Sequence, residues 1–150
     1  MIVGIDPGQG GALAFLKDGK VEALYDMPVM ARVHGKGKEV NAYMLCSIFM
    51  SHCPGRAVVE AVSAMPGQGV SSMFRFGESL GILKGVLGTL QIPYIMMTPQ
   101  KWKKVAGLIK KDKDVSRTLA IQQFPSISDQ LSLKKHVGRS DAIWIAKSIL

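Results

Sequence analysis

Apolar and polar positions along this chain follow two different periods, and the way those periods alternate predicts a mixed α/β domain. Short apolar runs at residues 1–5, 12–16 and 21–25 are bounded by turn residues and predict three strands. Asp18-Gly19 separates the second run from the third, and this dipeptide favours the tight turn of a β-hairpin. We therefore expect an antiparallel meander whose first strand ends at Asp6.

The rest of the chain alternates between helical and strand patterns. Apolar spacing predicts helices over residues 40–51 and 70–90, and short β-branched runs predict strands over 56–60 and 94–97. Thr98-Pro99 is typical of a helix start. Asp112 or Asp114 opens another helix that runs to about residue 124, and the last helix begins near Gly138 with Asp141 in its first turn. We expect one domain over residues 1–150, with helices flanking a mixed sheet.

Two segments carry composition that these elements do not explain. Residues 30–39 are basic and glycine-containing, which predicts a mobile loop that contacts either DNA or only solvent. Gly77, Gly81 and Gly85 recur every four residues in the predicted long helix. Interior glycines weaken a helix, so we expect another surface to approach this face closely, either the sheet or a second copy of the chain.

The charge of the chain points to a polyanionic partner. Nineteen Lys and Arg residues against eleven Asp and Glu residues give a net charge of +8. Neutralising phosphates with such charges releases condensed counterions, which favours nucleic-acid binding. A dense group of lysines surrounds Trp102 and is opposed only by Asp112. Its members are Lys101, Lys103, Lys104, Lys110, Lys111 and Lys113.

The sequence also bears on where the protein acts. No apolar stretch approaches the length that a membrane span requires, so no membrane partner is expected. The N-terminus has neither the basic region nor the cleavage site of a signal peptide. We expect a cytoplasmic protein of a bacterium or a phage-infected cell, rather than an organellar one.

Three acidic residues stand where predicted elements meet solvent: Asp6 and Glu60 at strand ends, and Asp141 at a helix start. Taken singly, each has an ordinary structural explanation. Together they are expected to converge, because strand ends and helix starts meet at one edge of an open α/β sheet. Converging carboxylates bind hard cations such as Mg²⁺ or Mn²⁺, which can drive phosphodiester hydrolysis. The three residues therefore predict a metal-dependent nuclease site.

Five collinear motifs carry a family resemblance. They are Gly4-Ile5-Asp6-Pro7-Gly8, Val58-Val59-Glu60, Phe74-Arg75-Phe76-Gly77-Glu78-Ser79-Leu80-Gly81, Thr98-Pro99-Gln100-Lys101-Trp102-Lys103-Lys104 and Gly138-Arg139-Ser140-Asp141-Ala142. In this order the chain resembles RuvC-type Holliday junction resolvases, most closely their phage and organellar branch. The resemblance implies an RNase H-like fold with a five-stranded mixed sheet. It also implies a homodimeric, Mg²⁺-dependent endonuclease for four-way DNA junctions, with Asp6, Glu60 and Asp141 as metal ligands.

The chain departs from the family pattern at one place. The family has a fourth acidic or histidine ligand three or four residues before the last acid, where this chain has Gly138 and Val137. Neither side chain can bind a metal. His136 is adjacent and is a candidate replacement for the catalytic site. Either three carboxylates suffice, or His136 compensates, or the chain is catalytically weakened.

The resemblance further implies which residues contact DNA. The six lysines between positions 101 and 113 and Arg139 are candidate phosphate contacts. Phe74 beside Arg75 could stack on an unpaired base, although such an aromatic residue is more often part of the core. Gly77, Gly81 and Gly85 are the candidate dimer contacts.

Three other functions compete with a junction resolvase. A junction-binding protein without activity would explain the missing fourth ligand, and a nuclease for other branched DNA would use the same site. The strand followed by Asp6-Pro7-Gly8 also resembles the phosphate loop of actin-like ATPases. Those proteins hold ATP between two such domains, so no nucleotide cofactor is expected for a single domain.

Overall fold

The computed structural model describes residues 1–64 and 66–150; Met65 lies outside the described residues. The strands are β1 (Ile2–Asp6), β2 (Ala12–Lys17), β3 (Lys20–Asp26), β4 (Val29–Ala31), β5 (Lys38–Val40), β6 (Arg56–Glu60) and β7 (Tyr94–Met97). The helices are α1 (Ala42–His52), α2 (Val70–Thr89), α3 (Pro99–Val105), α4 (Lys113–Gln123) and α5 (Val137–Lys147), with 3-10 segments at Pro125–Leu131 and Lys134–His136. The predicted helices and strands thus form close to their expected bounds.

The main sheet has five strands in the order β3-β2-β1-β6-β7. β1, β2 and β3 are antiparallel neighbours, whereas β6 and β7 run parallel to β1. Asp18 and Gly19 both have positive φ in the turn between β2 and β3, as the sequence predicts for a tight hairpin. The mixed sheet is therefore confirmed, and β1 at its centre ends beside β6 at the same edge.

Helices cover both faces of this sheet. α1 and α2 bury Leu45, Phe49 and Leu83 against one face, while α3, α4 and α5 cover the other. Alternate residues of β1 and β2 supply the two cores, because successive strand side chains point to opposite faces. No helix among the described residues is long and apolar enough to cross a membrane.

α5 packs directly on the backbone of β1. A Cβ atom at Gly4 would lie 2.1 Å from the carbonyl oxygen of Ala142 and 2.8 Å from the Cβ of Ala146. Only glycine permits this approach, since any side chain would push the helix away. The contact fixes α5 against β1 two residues before Asp6 and one residue after Asp141.

Two expectations from the sequence are corrected by the fold. The segment predicted as a basic, mobile loop contains the hairpin of β4 and β5, which Arg32 holds against α2 through two bonds of 2.8 and 2.7 Å to the Glu78 carboxylate. Asp141 does not lie in the first turn of α5, because that helix begins at Val137 directly after a 3-10 segment.

Candidate active site

Asp6, Glu60 and Asp141 approach one another at the edge where β1 and β6 end. The parallel register pairs Ile5 with Val59, so Asp6 and Glu60 follow as neighbours at the strand ends. α5 brings Asp141 to the same edge through its contact with Gly4. The charges of Glu60 and Asp141 both raise the pKa of Asp6, and the charge of Glu60 raises that of Asp141, as expected for carboxylates at the same edge of the sheet.

The electrostatics of this site disfavour three bare negative charges. Burial, followed by the charges of Glu60 and Asp141, raises the pKa of Asp6 from 3.8 to about 7. Burial also raises the pKa of Asp141 to about 6, with Glu60 adding to the rise. The Ser116 hydroxyl, Lys103 and Lys113 oppose it. Without a cation, the site therefore holds protons near neutral pH.

Each carboxylate accepts a hydrogen bond from a different element. The indole Nε1 of Trp102 donates to Glu60 Oε1 at 2.9 Å, and the Ser116 hydroxyl donates to Asp141 Oδ1 at 2.5 Å. The backbone N–H of Gly8 donates to Asp6. These donors hold one side of each acid while leaving further oxygen lone pairs for a ligand.

The donor set suits a hard divalent cation, because it consists of carboxylate oxygens whose repulsion a cation would relieve. Within residues 1–64 and 66–150, however, no three His, Cys, Asp or Glu side chains are grouped closely enough to form a ready-made metal cage. The carboxylates share an edge of the sheet, but binding an ion requires them to draw closer.

Gly138 occupies the part of α5 that faces Asp6. A Cβ at this position would lie 3.4 Å from Asp6 Oδ2, 2.9 Å from the carbonyl oxygen of Gly10 and 3.3 Å from the Cα of Gly11. The expected position of a fourth ligand is therefore closed by the loop after β1, so the departure from the family pattern is structural as well as chemical.

The hydrogen bond of the His136 side chain is to the backbone of its own 3-10 segment rather than to a carboxylate. Its side chain is buried, and its Nδ1 accepts a bond from the backbone N–H of Leu133 at 3.3 Å. The charged groups that act on its ring are Arg139, Asp26, Lys135 and Arg117, with none of the three site acids among them. His136 as a replacement ligand therefore stays a prediction.

Lysines line a small cleft beside Asp141. Lys103, Lys111 and Lys113 border this cleft of about 60 Å³ together with Trp102 and Ser116. The charges of Lys103 and Lys113 lower the pKa of Asp141, which places both ammonium groups near the site. Lys101, Lys104 and Lys110 are exposed farther along the same segment. Three of the six predicted lysines therefore border the cleft that contains Asp141.

The other predicted DNA contacts divide into two kinds. Arg139 is already engaged, because it makes two bonds of 2.6 and 2.8 Å to Asp26 and a third to the carbonyl of Gln130. Phe74 is 69% exposed, so it is not a core residue. It lines a cleft of about 320 Å³ with Arg75 and Lys36. These three remain available to a ligand.

The glycine face of α2 does not pack on the sheet. A Cβ at Gly77, Gly81 or Gly85 would meet nothing within 4 Å, and all three residues are exposed. Phe74 lies on the same side of the helix at helical spacing from Gly77 and Gly81. This face is open in the single chain.

Two functional candidates were not identified from the sequence. In the sequence, Trp102 stands among the lysines, yet in the structure it is buried and its indole N–H donates to Glu60. Ser116 lies in no motif of the sequence, although its hydroxyl donates to Asp141. The one sequence signal was that Trp102 falls on the inward side of a helix that starts directly after a strand. Ser116 gave none, because its partner is 25 residues away.

Comparison with solved structures shows that the chain has the fold of RuvC. The chain matches Thermus thermophilus RuvC in complex with a Holliday junction substrate at a TM-score of 0.63 and 14% identity, covering 98% of this chain and 90% of that one. A second T. thermophilus RuvC structure matches at a TM-score of 0.58 and 16% identity, with 98% and 91% covered. The yeast mitochondrial Holliday junction resolvase Ydc2 matches at 0.55 and 14%, with 98% and 76% covered.

Comparison with curated sequences agrees with these structures. The chain is 37% identical over 94 residues to the chloroplastic Holliday junction resolvase MOC1 of Chlamydomonas reinhardtii, a segment that spans 59% of this chain and only 10% of that protein. No family model matches the chain. The resemblance to RuvC-type resolvases is confirmed. MOC1 is chloroplastic, whereas the cytoplasmic location expected for the present chain stays a prediction.

Proposed function

We propose that this chain is a divalent-metal-dependent endonuclease that resolves four-way DNA junctions. The observation that carries the proposal is the meeting of Asp6, Glu60 and Asp141 beside a lysine-lined cleft. The RuvC fold and the sequence relationship to a junction resolvase support the same substrate. The cation would be Mg²⁺, with Mn²⁺ able to replace it.

Each residue of the site has a definable role in phosphodiester hydrolysis. Asp6, Glu60 and Asp141 would hold the cation, which when bound activates water and stabilises the leaving oxygen. Lys103 and Lys113 would bind non-bridging phosphate oxygens next to the carboxylates, since their charges already act on Asp141.

We further propose that two copies act together. Symmetric cleavage of a four-way junction needs two sites in a fixed relation, and a two-fold dimer supplies them. The open face of Gly77, Gly81 and Gly85 on α2 lets a second helix approach closely. Exposed Phe74 continues this face towards the cleft that it forms with Arg75 and Lys36.

Cleavage of labelled four-way junctions tests the enzymatic proposal. Wild-type protein in Mg²⁺ or Mn²⁺ should make paired nicks at symmetric positions, and Asp6→Asn should bind the junction without cutting it. Lys17→Gln is the matched control, because Lys17 lies at the other end of the sheet from Asp6. Preferential cutting of flap or plain duplex DNA would instead identify a nuclease for other substrates.

A second candidate function is junction binding without cleavage, which the closed position of Gly138 favours. In that case the protein would bind junctions tightly and leave them intact in either metal. Val137→Asp introduces an acid at the neighbouring position without the backbone clash that Gly138 faces. Cleavage gained by Val137→Asp alone would assign the wild-type chain to binding, whereas cleavage by the wild type excludes this function.

A further inference from the structure

Trp102 is the residue of the site whose chemistry the proposed function does not yet use. Its side chain is 1% exposed, and its only polar atom donates to Glu60 Oε1 at 2.9 Å. A buried indole usually finds a hydrogen-bond partner, but a backbone carbonyl would serve equally well. Here the partner is instead a carboxylate of the candidate metal site.

The local sequence explains how the indole reaches that carboxylate. β7 runs parallel to β6, with Met97 paired to Glu60. Thr98 and Pro99 then start α3 at once, and the backbone N–H of Trp102 bonds to the Thr98 carbonyl at 3.2 Å in the first turn. The helix therefore turns back over the end of the sheet and places the indole against the end of β6.

The ring of Trp102 also contacts Lys103, whose ammonium group lies near a second acid of the site. Lys103 Nζ lies 5.3 Å from the centroid of the indole ring, within the range of a cation–π contact. Lys103 lines the same small cleft as Asp141. One side chain thus supports Glu60 with its N–H edge and the lysine beside Asp141 with its face.

We propose that Trp102 is a positioning residue that fixes Glu60 for metal binding through its indole N–H and steadies Lys103 for phosphate binding through its ring. The inference rests on the proposed function, because it assumes that the carboxylates hold a divalent cation. Glu60 has a flexible side chain, and a hydrogen bond to one oxygen restricts its rotation while leaving Oε2 for the ion. Partners of this kind typically change metal affinity by about 10- to 100-fold.

Three substitutions separate the two roles from simple core packing. Trp102→Phe keeps an aromatic face for Lys103 but removes the N–H, and Trp102→Leu removes both. Trp144→Phe is the control, because Trp144 is 5% exposed in the same core and its Nε1 donates at 2.9 Å to the backbone carbonyl of Ser116 rather than to an acid.

The readout is Mg²⁺ binding, measured by calorimetry and by NMR of the indole N–H groups. The chain has two tryptophans, so the wild type gives two indole signals, which Trp144→Phe assigns. The Trp102 signal should move saturably with Mg²⁺ and should lose this response in Glu60→Gln. Trp102→Phe should need about tenfold more Mg²⁺, whereas Trp144→Phe should bind Mg²⁺ as the wild type does.

Junction binding in EDTA tests the second role. Trp102→Phe should bind the junction with wild-type affinity, and Trp102→Leu should bind it more weakly because Lys103 loses its support. Equal Mg²⁺ affinity in the wild type and Trp102→Phe would overturn the positioning role while leaving junction cleavage intact. An equal loss in Trp144→Phe would reduce the effect to core packing. A wild type that binds no Mg²⁺ would instead remove the proposed function itself.

The wild-type titration keeps the inference testable if Trp102→Phe does not fold. One outcome, in a protein that binds Mg²⁺, is that the NMR position of the Trp102 indole signal is the same with and without Mg²⁺ and the same in Glu60→Gln. That result would show that the indole and the metal site are not coupled. A signal that responds to both supports the coupling without any change at position 102.

Discussion

At the scale of single residues, the site is arranged for a ligand rather than for the stability of the chain alone. Asp6 and Asp141 have raised pKa values because burial and neighbouring acids disfavour their charged forms. A cation would remove that conflict. A bound cation would stabilise the folded chain, so metal binding can be measured through the stability of the fold as well as through activity.

Asp6→Asn should stabilise the metal-free protein at pH 8. The pKa of Asp6 is about 7 in the folded chain against an ordinary value of 3.8, so ionisation of this residue destabilises the fold progressively as pH rises from about 4 to about 7. Thermal unfolding in EDTA should give a higher Tm for Asp6→Asn than for the wild type at pH 8, and a smaller difference at pH 4. Mg²⁺ should raise the wild-type Tm more than that of the variant. A variant less stable at pH 8 would contradict the pKa assignment.

Gly138→Ala should destabilise the protein, because its Cβ would lie 2.9 Å from the Gly10 carbonyl oxygen. Overpacking against backbone costs roughly 1–3 kcal/mol. Urea unfolding in EDTA measures the loss. Gly10→Ala is the control, since a Cβ there meets nothing within 4 Å. Equal stability of Gly138→Ala and the wild type would show that the loop yields and that a fourth ligand could be introduced here.

The sequence predicted the acids of the site but not the residues that hold them. Asp6 and Glu60 could be found because each ends a recognisable strand, and Asp141 because it lies near the start of the last helix. The bond from Trp102 to Glu60 spans 42 positions, and the bond from Arg139 to Asp26 spans 113. Such pairs depend on tertiary packing, which single-chain patterns do not encode. The sequence therefore did not show that Arg139, which stays a predicted DNA contact, bonds to Asp26 at the end of β3.

At the scale of elements, the strand and helix patterns were sufficient wherever burial dictated them. The basic segment between β3 and α1 was the exception, because the Arg32–Glu78 pair that orders its hairpin joins residues 46 positions apart. The glycines of α2 were a second exception. Their spacing indicated a close approach, but the sheet does not make it, and this face of α2 is open in the single chain.

Gly81→Arg should convert the proposed dimer into a monomer. The long side chain would stand on a face where Gly81 now has open space around it, and it would keep a second helix away. Sedimentation of the purified protein measures the change, and junction cleavage should fall with it. Ser72→Arg, exposed on the other side of α2, is the matched control and should keep the wild-type mass. A wild-type protein that sediments as a monomer would refute the dimer.

At the scale of the whole molecule, positively charged lysines lie beside a site made of negatively charged acids. The net charge of +8 includes three lysines that border the same cleft as the partly buried Asp141. The lysines would attract DNA phosphates. Because the acids repel a phosphate, it could lie close to them only with a bound metal ion between the two. The sequence predicted this balance from composition, and the structure adds where the positive groups lie.

Lys111→Gln combined with Lys113→Gln should weaken junction binding and flatten its dependence on salt. Each lost phosphate contact lowers the slope of log K against log salt by about 0.9. Fluorescence anisotropy between low and moderate salt gives that slope. Lys17→Gln combined with Lys20→Gln removes the same charge from the β2–β3 turn, far from the site, and should leave the slope unchanged. Equal slopes for both pairs would show that total charge alone drives binding.

Because α5 packs closely on Gly4, we expect the substitutions that this chain tolerates to differ between two selections, one for folding and one for function. Selection for folded protein alone should reject nearly every replacement at Gly4, where a Cβ would lie 2.1 Å from the Ala142 carbonyl oxygen, yet accept neutral replacements at Asp6 two residues later. Selection for junction processing in cells should reject both. Positions that only the second selection protects would outline the surface used in the proposed function without any substrate complex.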